Sequence, residues 1–415
     1  MEYGLIGEHL GHSFSKTIHE DIAHYSYELK ELKKEELPEF LKERAFKAIN
    51  VTIPYKQEVI PLLDEIAPSA KKVGAVNTII NRNGKLIGYN TDYDGLIYLV
   101  KKSGIQIKDK KVLILGAGGA SLACEACAKS LGARSITKSD FKARPGVLAY
   151  NQLSFDYQII FNATPCGMYP NNIDDILIDI KKYKHLEGII DCVYNPLSTR
   201  LVLEAKELKI PAMGGLGMLI AQAVFAIQIF LDKTLDKKII DKYYNKLTKE
   251  KENIVLIGMP SSGKTTVGKL LSEKLNKKLV DIDEVIEKDN DIVISEYIPE
   301  NGILSFRQLE KEAVKEISKE NNQIISTGGG VIFYPENIRH LHSNGRIFFI
   351  DRPLELLTPT SDRPLSSDYE ALKKLYNERY DKYLSYCDYH IINNSSIDDV
   401  VNKILEVIKN EDTCY

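Results

Sequence analysis

Two short apolar runs, each ending in a glycine turn that opens a helix, constrain this chain more than any other feature. The first is Lys111-Val-Leu-Ile-Leu followed by Gly116-Ala117-Gly118-Gly119-Ala120. The second is Asn253-Ile-Val-Leu-Ile followed by Gly258-Met-Pro-Ser261-Ser262-Gly263-Lys264-Thr265-Thr266. A strand that is apolar without alternation is buried on both faces, which implies a parallel sheet covered by helices. Glycines at its end let backbone N–H groups gather phosphate oxygens at a helix N-terminus. Two such openings imply two separate nucleotide-type α/β units. The length of 415 residues, at about 150 residues per domain, also leaves room for nearly three domains.

The strand and helix rhythm divides the chain. Residues 1–100 alternate short strands with helices and read as an α/β domain, and a helical hairpin is expected within 214–248. Residues 101–213 read as a Rossmann-type domain, with further strands at Arg134–Thr137, Tyr157–Asn162 and Gly188–Asp191. The charged run 246–252 reads as a solvated linker. Residues 253–415 read as a P-loop domain with a parallel sheet.

Charge excludes some functions. Lys and Arg total 55 against 58 Asp and Glu, a net charge of −3, so no global basic field draws nucleic acid or anionic lipid. Small molecules are the expected partners. Leu216–Leu231 carries no charge, but as a helix it spans about 24 Å against roughly 30 Å of hydrocarbon, so it reads as a buried core helix. The N-terminus lacks the basic start and apolar run of a signal peptide. The lone CxxC, Cys124-Glu-Ala-Cys127, sits in an apolar helical stretch and reads as packing, and scattered reduced thiols fit a cytoplasmic protein.

Chemistry concentrates at the two glycine turns. Gly258-x4-Gly263-Lys264-Thr265 between a strand and a helix is the P-loop pattern. Its backbone, Ser261, Ser262 and Thr266 cradle phosphates, Lys264 reaches the outer ones and the Thr265 hydroxyl can ligate Mg²⁺. Asp281 and Asp283, two apart at the end of the next apolar run, would share one face of a strand. One carboxylate can hold Mg²⁺ and the other can accept an alcohol proton; an N-cap or turn acid is the other reading. Arg307 and Glu310 form an i, i+3 pair, Gly328-Gly329-Gly330 offers backbone donors, Arg363 lies in a loop and Arg379 on a late helix. At the first turn, Thr137-Lys138-Ser139 stands where an acid would bind a ribose diol, so NADP is expected, with Lys142 a second phosphate contact. Asp140 argues for NAD, and Ser121 replaces the third glycine of the usual fingerprint. Polar clusters upstream include Ser13 and Ser15, Thr52 and Lys56, Asn77, and Asp92.

From the P-loop through Asp-x-Asp, Phe306-Arg307-x-x-Glu310, Thr327-Gly-Gly-Gly330 and Arg363-Pro-Leu, the second unit resembles shikimate kinase. The resemblance implies that Asp281 supports Mg²⁺ and Asp283 orients the attacking hydroxyl. It implies too that Arg307, Arg379 and Gly328–Gly330 hold shikimate, Glu310 braces Arg307, and Arg363 stabilises the transferring phosphoryl of ATP. Residues 1 to about 235 resemble shikimate dehydrogenase, through the clusters above and Asn162-Ala-Thr-Pro, Asp191-Cys-Val-Tyr194-Asn-Pro, and Gly215-Leu-Gly-Met with Gln222. That resemblance implies substrate contacts from Ser13, Ser15, Thr52, Asn77, Tyr194 and Gln222, with Lys56 and Asp92 as the catalytic pair. NADP(H) would lie on Gly116–Ala120, Thr137, Lys138, Ser139, Lys142 and Gly215. Two departures stand out: Thr-Lys-Ser replaces the family's Asn-Arg-Thr, and the stretch before Arg363 lacks a further arginine. Together the units imply reduction of 3-dehydroshikimate and then phosphorylation of the new hydroxyl. A quinate- or NAD-using dehydrogenase, or a second unit that binds nucleotide without transferring phosphate, are the alternatives.

Overall fold

The apolar runs assemble into three sheets distributed over two units, Met1–Tyr244 and Asn245–Tyr415. The computed structural model describes residues 1–10, 14–170, 174–358 and 368–410. Among these residues no helix is long and apolar enough to cross a membrane.

The first unit opens with β1 (Tyr3–Gly7), α1 (Phe14–Ala23), β2 (Tyr27–Glu31), α2 (Leu37–Glu43) and β3 (Ala48–Val51). It continues with β4 (Glu65–Ile66), α3 (Pro68–Val73), β5 (Thr78–Arg82), β6 (Lys85–Tyr89) and α4 (Asp92–Ser103). The strands form a mixed sheet of order β2-β1-β3-β5-β6-β4. The β5–β6 pair closes through Asn83 and Gly84, both at positive φ, the backbone that Asn-Gly adopts at little cost in a tight hairpin.

Next come β7 (Lys111–Leu115), α5 (Gly119–Ser130), β8 (Ser135–Asp140), β9 (Val147–Ala149), β10 (Ile159–Asn162), β11 (Gly188–Asp191), α6 (Arg200–Glu207) and β12 (Ala212–Met213). Their order β12-β11-β10-β7-β8-β9 is all parallel. The order reverses beside β7, and the glycine turn leaves from that point, where such sheets bind ligands. Register sets Lys138 opposite Ile114 and Ser139 opposite Leu115, so the basic residue of β8 ends level with the turn. The uncharged α7 (Leu216–Leu231) buries Ile220, Val224 and Ile227 and packs on α4.

The boundary between units falls within α8 (Lys238–Lys251). The run 246–252, expected as a solvated linker, is instead mostly the end of this helix. Lys and Glu are good helix formers, Lys246 and Glu250 pair at i, i+4, and no Gly or Pro interrupts them. Leu247 and Lys251 are buried, and the Lys277 ammonium donates to the carbonyls of Lys249 (3.0 Å) and Glu252 (2.8 Å), satisfying the helix end.

The second unit contains β13 (Asn253–Ile257), α9 (Lys264–Leu275), β14 (Lys278–Asp281), α10 (Ile282–Asn290), α11 (Ile294–Asn301) and α12 (Ile303–Ile317). It ends with β15 (Gln323–Ser326), α13 (Pro335–Asn344), β16 (Gly345–Asp351), α14 (Tyr369–Tyr386), β17 (Tyr389–Ile392) and α15 (Ile397–Asn410). The sheet order is β14-β15-β13-β16-β17, parallel throughout. All five residues of β13 are buried, as a central parallel strand requires.

Two candidate active sites

In the first unit, Lys56 follows β3 in a turn and Asp92 begins α4. Their side chains meet at 2.6 Å, only 18% and 10% exposed. Asn77 fixes the far oxygen: its amide donates to Asp92 Oδ1 and to Thr91 Oγ1, both at 3.0 Å. The Asn77 oxygen accepts from the Thr91 N–H (2.7 Å) and the Thr78 hydroxyl (3.0 Å). Both donors and both lone pairs are therefore engaged, and Asn77 reaches a substrate only by exchanging one of these bonds. Behind it, Asn50 donates to Thr78 Oγ1 (3.1 Å), and the buried Tyr27 hydroxyl donates to Asn50 (2.7 Å). The sequence did not single out Tyr27, Thr78 or Asn50 as a brace, although the strand Ala48–Val51 carries a polar residue at 50 that signals one.

Around this pair, Thr52 opens the turn carrying Lys56, and Ser15 lies in the first turn of α1. Tyr194 meets Phe14 edge-on at 5.9 Å, and burial raises the pKa of its phenol. Gln222 lies against the first turn of α4, where a Cβ on Gly95 would touch it at 3.2 Å. Ser13 lies outside the described residues. At the end of β11, Asp191 is wholly buried and accepts from Thr199 Oγ1 (2.6 Å), Val193 N–H (2.9 Å) and Asn162 (2.9 Å). Burial pushes its carboxyl up to about 7 against the pull of those donors.

The glycine turn faces Lys56. A Cβ on Gly119 would come 3.8 Å from the Lys56 side chain, and one on Gly118 would meet nothing within 4 Å. Gly116, at φ +98°, cannot be replaced without striking Thr164 at 2.8 Å. This open backbone at a helix N-terminus, between Ala117 and Ala120, fits a pyrophosphate. Ser121 fills the third glycine position by turning its hydroxyl back onto the Gly118 carbonyl (2.6 Å). A Cβ on Gly215 would strike the Cys192 carbonyl. Thr137 is half-buried and Lys142 exposed. Ser139 differs from expectation: its side chain is fully buried and its carbonyl accepts the Gly116 N–H (2.7 Å), so it shapes the turn and offers no surface hydroxyl. Lys138 is paired with Glu125 of α5 at 2.7 Å. The pair Cys124 and Cys127 packs inside α5, with the Cys124 sulfur 3.6 Å from that of Cys192.

In the second unit a cleft of about 710 Å³ opens above the P-loop. Gly258 and Gly263 take φ +150° and +94°, and a Cβ on Gly258 would press the Ile350 carbonyl at 2.6 Å. Ser261 adopts the left-handed region, the Ser262 side chain is buried, and Thr266 lines the cleft. The Lys264 ammonium folds over the loop onto the carbonyls of Gly258 (3.0 Å) and Met259 (2.9 Å). Thr265 donates to Asp281 Oδ2 at 3.0 Å, a hydroxyl and carboxylate set that fits Mg²⁺.

The shared strand face expected for Asp281 and Asp283 is absent. The strand stops at Asp281, which caps α10 by accepting the Asp283 N–H (3.1 Å), and Asp283 occupies the helix's first turn. Capping by a short acid outcompetes strand continuation here. Both carboxylates still line the cleft.

Opposite them, Arg307 and Glu310 pair at 2.7 Å with 8% and 0% exposure. Burial raises the Glu310 carboxyl, while Arg307 pulls it back. A Cβ on Gly330 would fall inside the Arg307 guanidinium, and one on Gly328 would reach Asp283 Oδ1 at 2.7 Å. Arg379, buried and lowered chiefly by that burial, donates to the Gly329 carbonyl at 2.9 Å beside the Tyr383 hydroxyl at 2.5 Å. Phe333, which the sequence reading passed over, carries the Arg379, Arg307 and Lys382 cations over its ring at 5.1, 5.5 and 4.7 Å. Arg363 lies outside the described residues.

Comparison with known proteins agrees with this division. The family model for the shikimate dehydrogenase substrate binding domain matches residues 5–79, and that for shikimate kinase matches residues 260–409. A shikimate dehydrogenase (NADP(+)) of Clostridium beijerinckii is 37% identical over 261 residues, covering 59% of this chain and 96% of the relative. A solved chorismate mutase/shikimate 5-dehydrogenase fusion protein from Clostridium acetobutylicum is 34% identical with a TM-score of 0.56, covering 59% of this chain and 96% of that one. The shikimate 5-dehydrogenase of Thermus thermophilus, solved in complex with NADP(H) and shikimate, is 27% identical with a TM-score of 0.53, covering 59% of this chain and 99% of that one.

Proposed function

The chain belongs to the shikimate dehydrogenase family and carries a shikimate kinase domain behind it, and from that premise we propose how its residues divide the work. It is a bifunctional enzyme of the shikimate pathway, an NADP-dependent oxidoreductase joined to an ATP-dependent phosphotransferase. The observation that carries the reading is Lys56, held by Asp92 and lying 3.8 Å from where a Gly119 side chain would begin.

NADPH, when bound on the first glycine turn, supplies hydride for the ring ketone of 3-dehydroshikimate. Lys56, as an ammonium, polarises that carbonyl and gives its oxygen a proton. Asp92 orients the amine and offsets its charge, while Asn77 fixes Asp92. Ser13, Ser15, Thr52, Tyr194 and Gln222 take the substrate's hydroxyls and carboxylate.

ATP with Mg²⁺, when bound on the second turn, supplies the phosphoryl group for shikimate. Lys264 exchanges its loop carbonyls for phosphate oxygens, and Thr265 with Asp281 holds the metal. Asp283 accepts the proton of the 3-hydroxyl. Arg307, Arg379 and the Gly328–Gly330 backbone hold the carboxylate and remaining hydroxyls, with Glu310 bracing Arg307, and Arg363 is assigned the transferring phosphoryl. We place both reactions in the cytoplasm with small molecules as partners. The net charge of −3, with no basic field to draw nucleic acid or anionic lipid, supports small molecules as partners.

The full chain supplied with 3-dehydroshikimate, NADPH, ATP and Mg²⁺ should oxidise NADPH and form ADP in equal amounts, yielding shikimate 3-phosphate by mass. NADPH oxidation without ADP would overturn the kinase half; ADP formation from added shikimate with no NADPH oxidation would overturn the other.

A further inference from the structure

We propose that Glu125 sets the cofactor selectivity of the first unit by competing with a 2′-phosphate for Lys138. The inference rests on the dinucleotide reading of the first glycine turn and goes beyond it.

Lys138 is the one base that β8 places level with the turn, facing α5. Its ammonium lies 2.7 Å from Glu125 Oε2, and Lys129 binds the other oxygen at 2.5 Å. Lys138 and Glu125 are 24% and 22% exposed, so water screens the pair only in part. Burial would raise the Glu125 carboxyl, but the bonds from Lys129 and Lys138 outweigh it and hold it below the usual range, so it is charged at neutral pH. A second base, further along, is paired too. Arg144, 3.5 Å from the Ala117 carbonyl of the turn, binds Asp140 at 3.0 Å. Two of the bases beside the ribose corner are therefore matched by carboxylates. A 2′-phosphate dianion arriving at Lys138 must displace Glu125 and then lies against its negative charge. A ribose 2′-hydroxyl, being neutral, meets no such competitor. Glu125 thereby narrows the advantage that Lys138 alone would give NADP over NAD.

The test is calorimetric and uses the full chain, its second site first saturated with a non-hydrolysable ATP analogue and Mg²⁺, with 2′,5′-ADP and 5′-AMP, fragments that differ only by the 2′-phosphate. Glu125→Gln keeps the side chain's size and one acceptor. It should tighten 2′,5′-ADP about tenfold, about 1.4 kcal/mol, and leave 5′-AMP within about twofold. Retained 5′-AMP binding shows that the variant is folded. Lys138→Gln should cost the parent chain about twofold for 2′,5′-ADP, yet erase the whole gain in the Glu125→Gln background, a coupling that a double-mutant cycle reads. The proposal fails if Glu125→Gln leaves 2′,5′-ADP unchanged, if both fragments shift together, or if Lys138→Gln alone removes the parent's full 2′-phosphate preference. Should neither fragment bind the parent chain, the dinucleotide reading itself falls and takes the proposal with it.

Discussion

Glu310→Gln tests the second site most directly. Glutamine keeps the volume of a side chain that is 0% exposed but removes the charge against which Arg307, 8% exposed, is buried. Breaking a buried pair from one side leaves the other charge uncompensated, at a cost of about 3–5 kcal/mol. With a urea slope of about 1.5–2 kcal/mol per M, the lower figure alone moves the unfolding midpoint by about 2 M. The chain has no Trp and 23 Tyr spread over both units, so fluorescence would mix their transitions. Activity separates them: phosphorylation of shikimate and NADPH-dependent reduction can be followed in the same urea series. The kinase midpoint should fall by about 2 M and the dehydrogenase midpoint should stay. In buffer, the KM for shikimate should rise about tenfold, because the guanidinium loses its fixed orientation against Gly330, a change of about 1.4 kcal/mol. A kinase midpoint within about 0.3 M of the parent, on slopes of the usual size, would refute the claim that Arg307 depends on this partner.

Other changes separate the two chemistries. Lys56→Ala should slow NADPH oxidation by about 10²–10⁴ and leave phosphorylation of added shikimate nearly intact. Asp283→Asn should do the reverse, and steady-state rates of both reactions on each variant decide it. Phe333→Ala should raise the KM for shikimate about tenfold with kcat and the KM for ATP within twofold, since cation–π contacts of this kind contribute about 0.5–2 kcal/mol. Phe333→Trp should restore it and Phe333→Leu should not; a fully active Leu variant would mean that the ring acts by packing alone. Asp191 carries a pH signature. Its folded pKa, about 7, lies above the ordinary 3.8, so the folded state holds the extra proton between those values. Stability from this group is present below about pH 4 and is lost as pH rises towards 7. Asp191→Asn should flatten that fall in the dehydrogenase urea midpoint, and an unaltered pH slope would show that the carboxyl titrates normally.

The residues legible in the sequence were those whose signal is local. Both glycine turns, the Arg307 and Glu310 helix pair and the uncharged α7 follow from spacing and composition within a dozen residues. Asp281 and Asp283 were legible as acids at a phosphate-facing sheet end, but one backbone hydrogen bond to a cap decided that Asp283 belongs to a helix. The run 246–252 misled because charge density marks solvent exposure and does not mark the absence of helix; Lys277, placed by another element, completes the end of α8. Tyr27, Asn50 and Thr78 could not be linked to Asp92 without the register of β3 against β5, which sets Asn50 opposite Thr78. Glu125 was equally silent, because nothing along the chain tells an acid on a helix which strand residue it will face.

Those pairings share a physical logic. Lys56, Lys138 and Arg307 each meet a carboxylate of the same unit before any ligand arrives. A cation pre-paired this way contributes little net field, which agrees with a chain whose total charge is −3. Recognition of an anionic substrate or cofactor then depends on exchanging one partner for another, and the outcome turns on which carboxylates are fixed. Glu310 is fully buried and cannot leave, so Arg307 stays oriented, and in the proposed kinase site its remaining N–H groups are left for shikimate. Asp92 is held by Asn77, and in the proposed reaction the Lys56 proton is the mobile element of that pair. Glu125 sits at the rim, held only by lysines, and it is the carboxylate that a ligand can contest. Under the proposed division of roles, the degree to which a partner is fixed separates a catalytic brace from a selectivity filter, and the urea and calorimetric measurements above probe the two extremes.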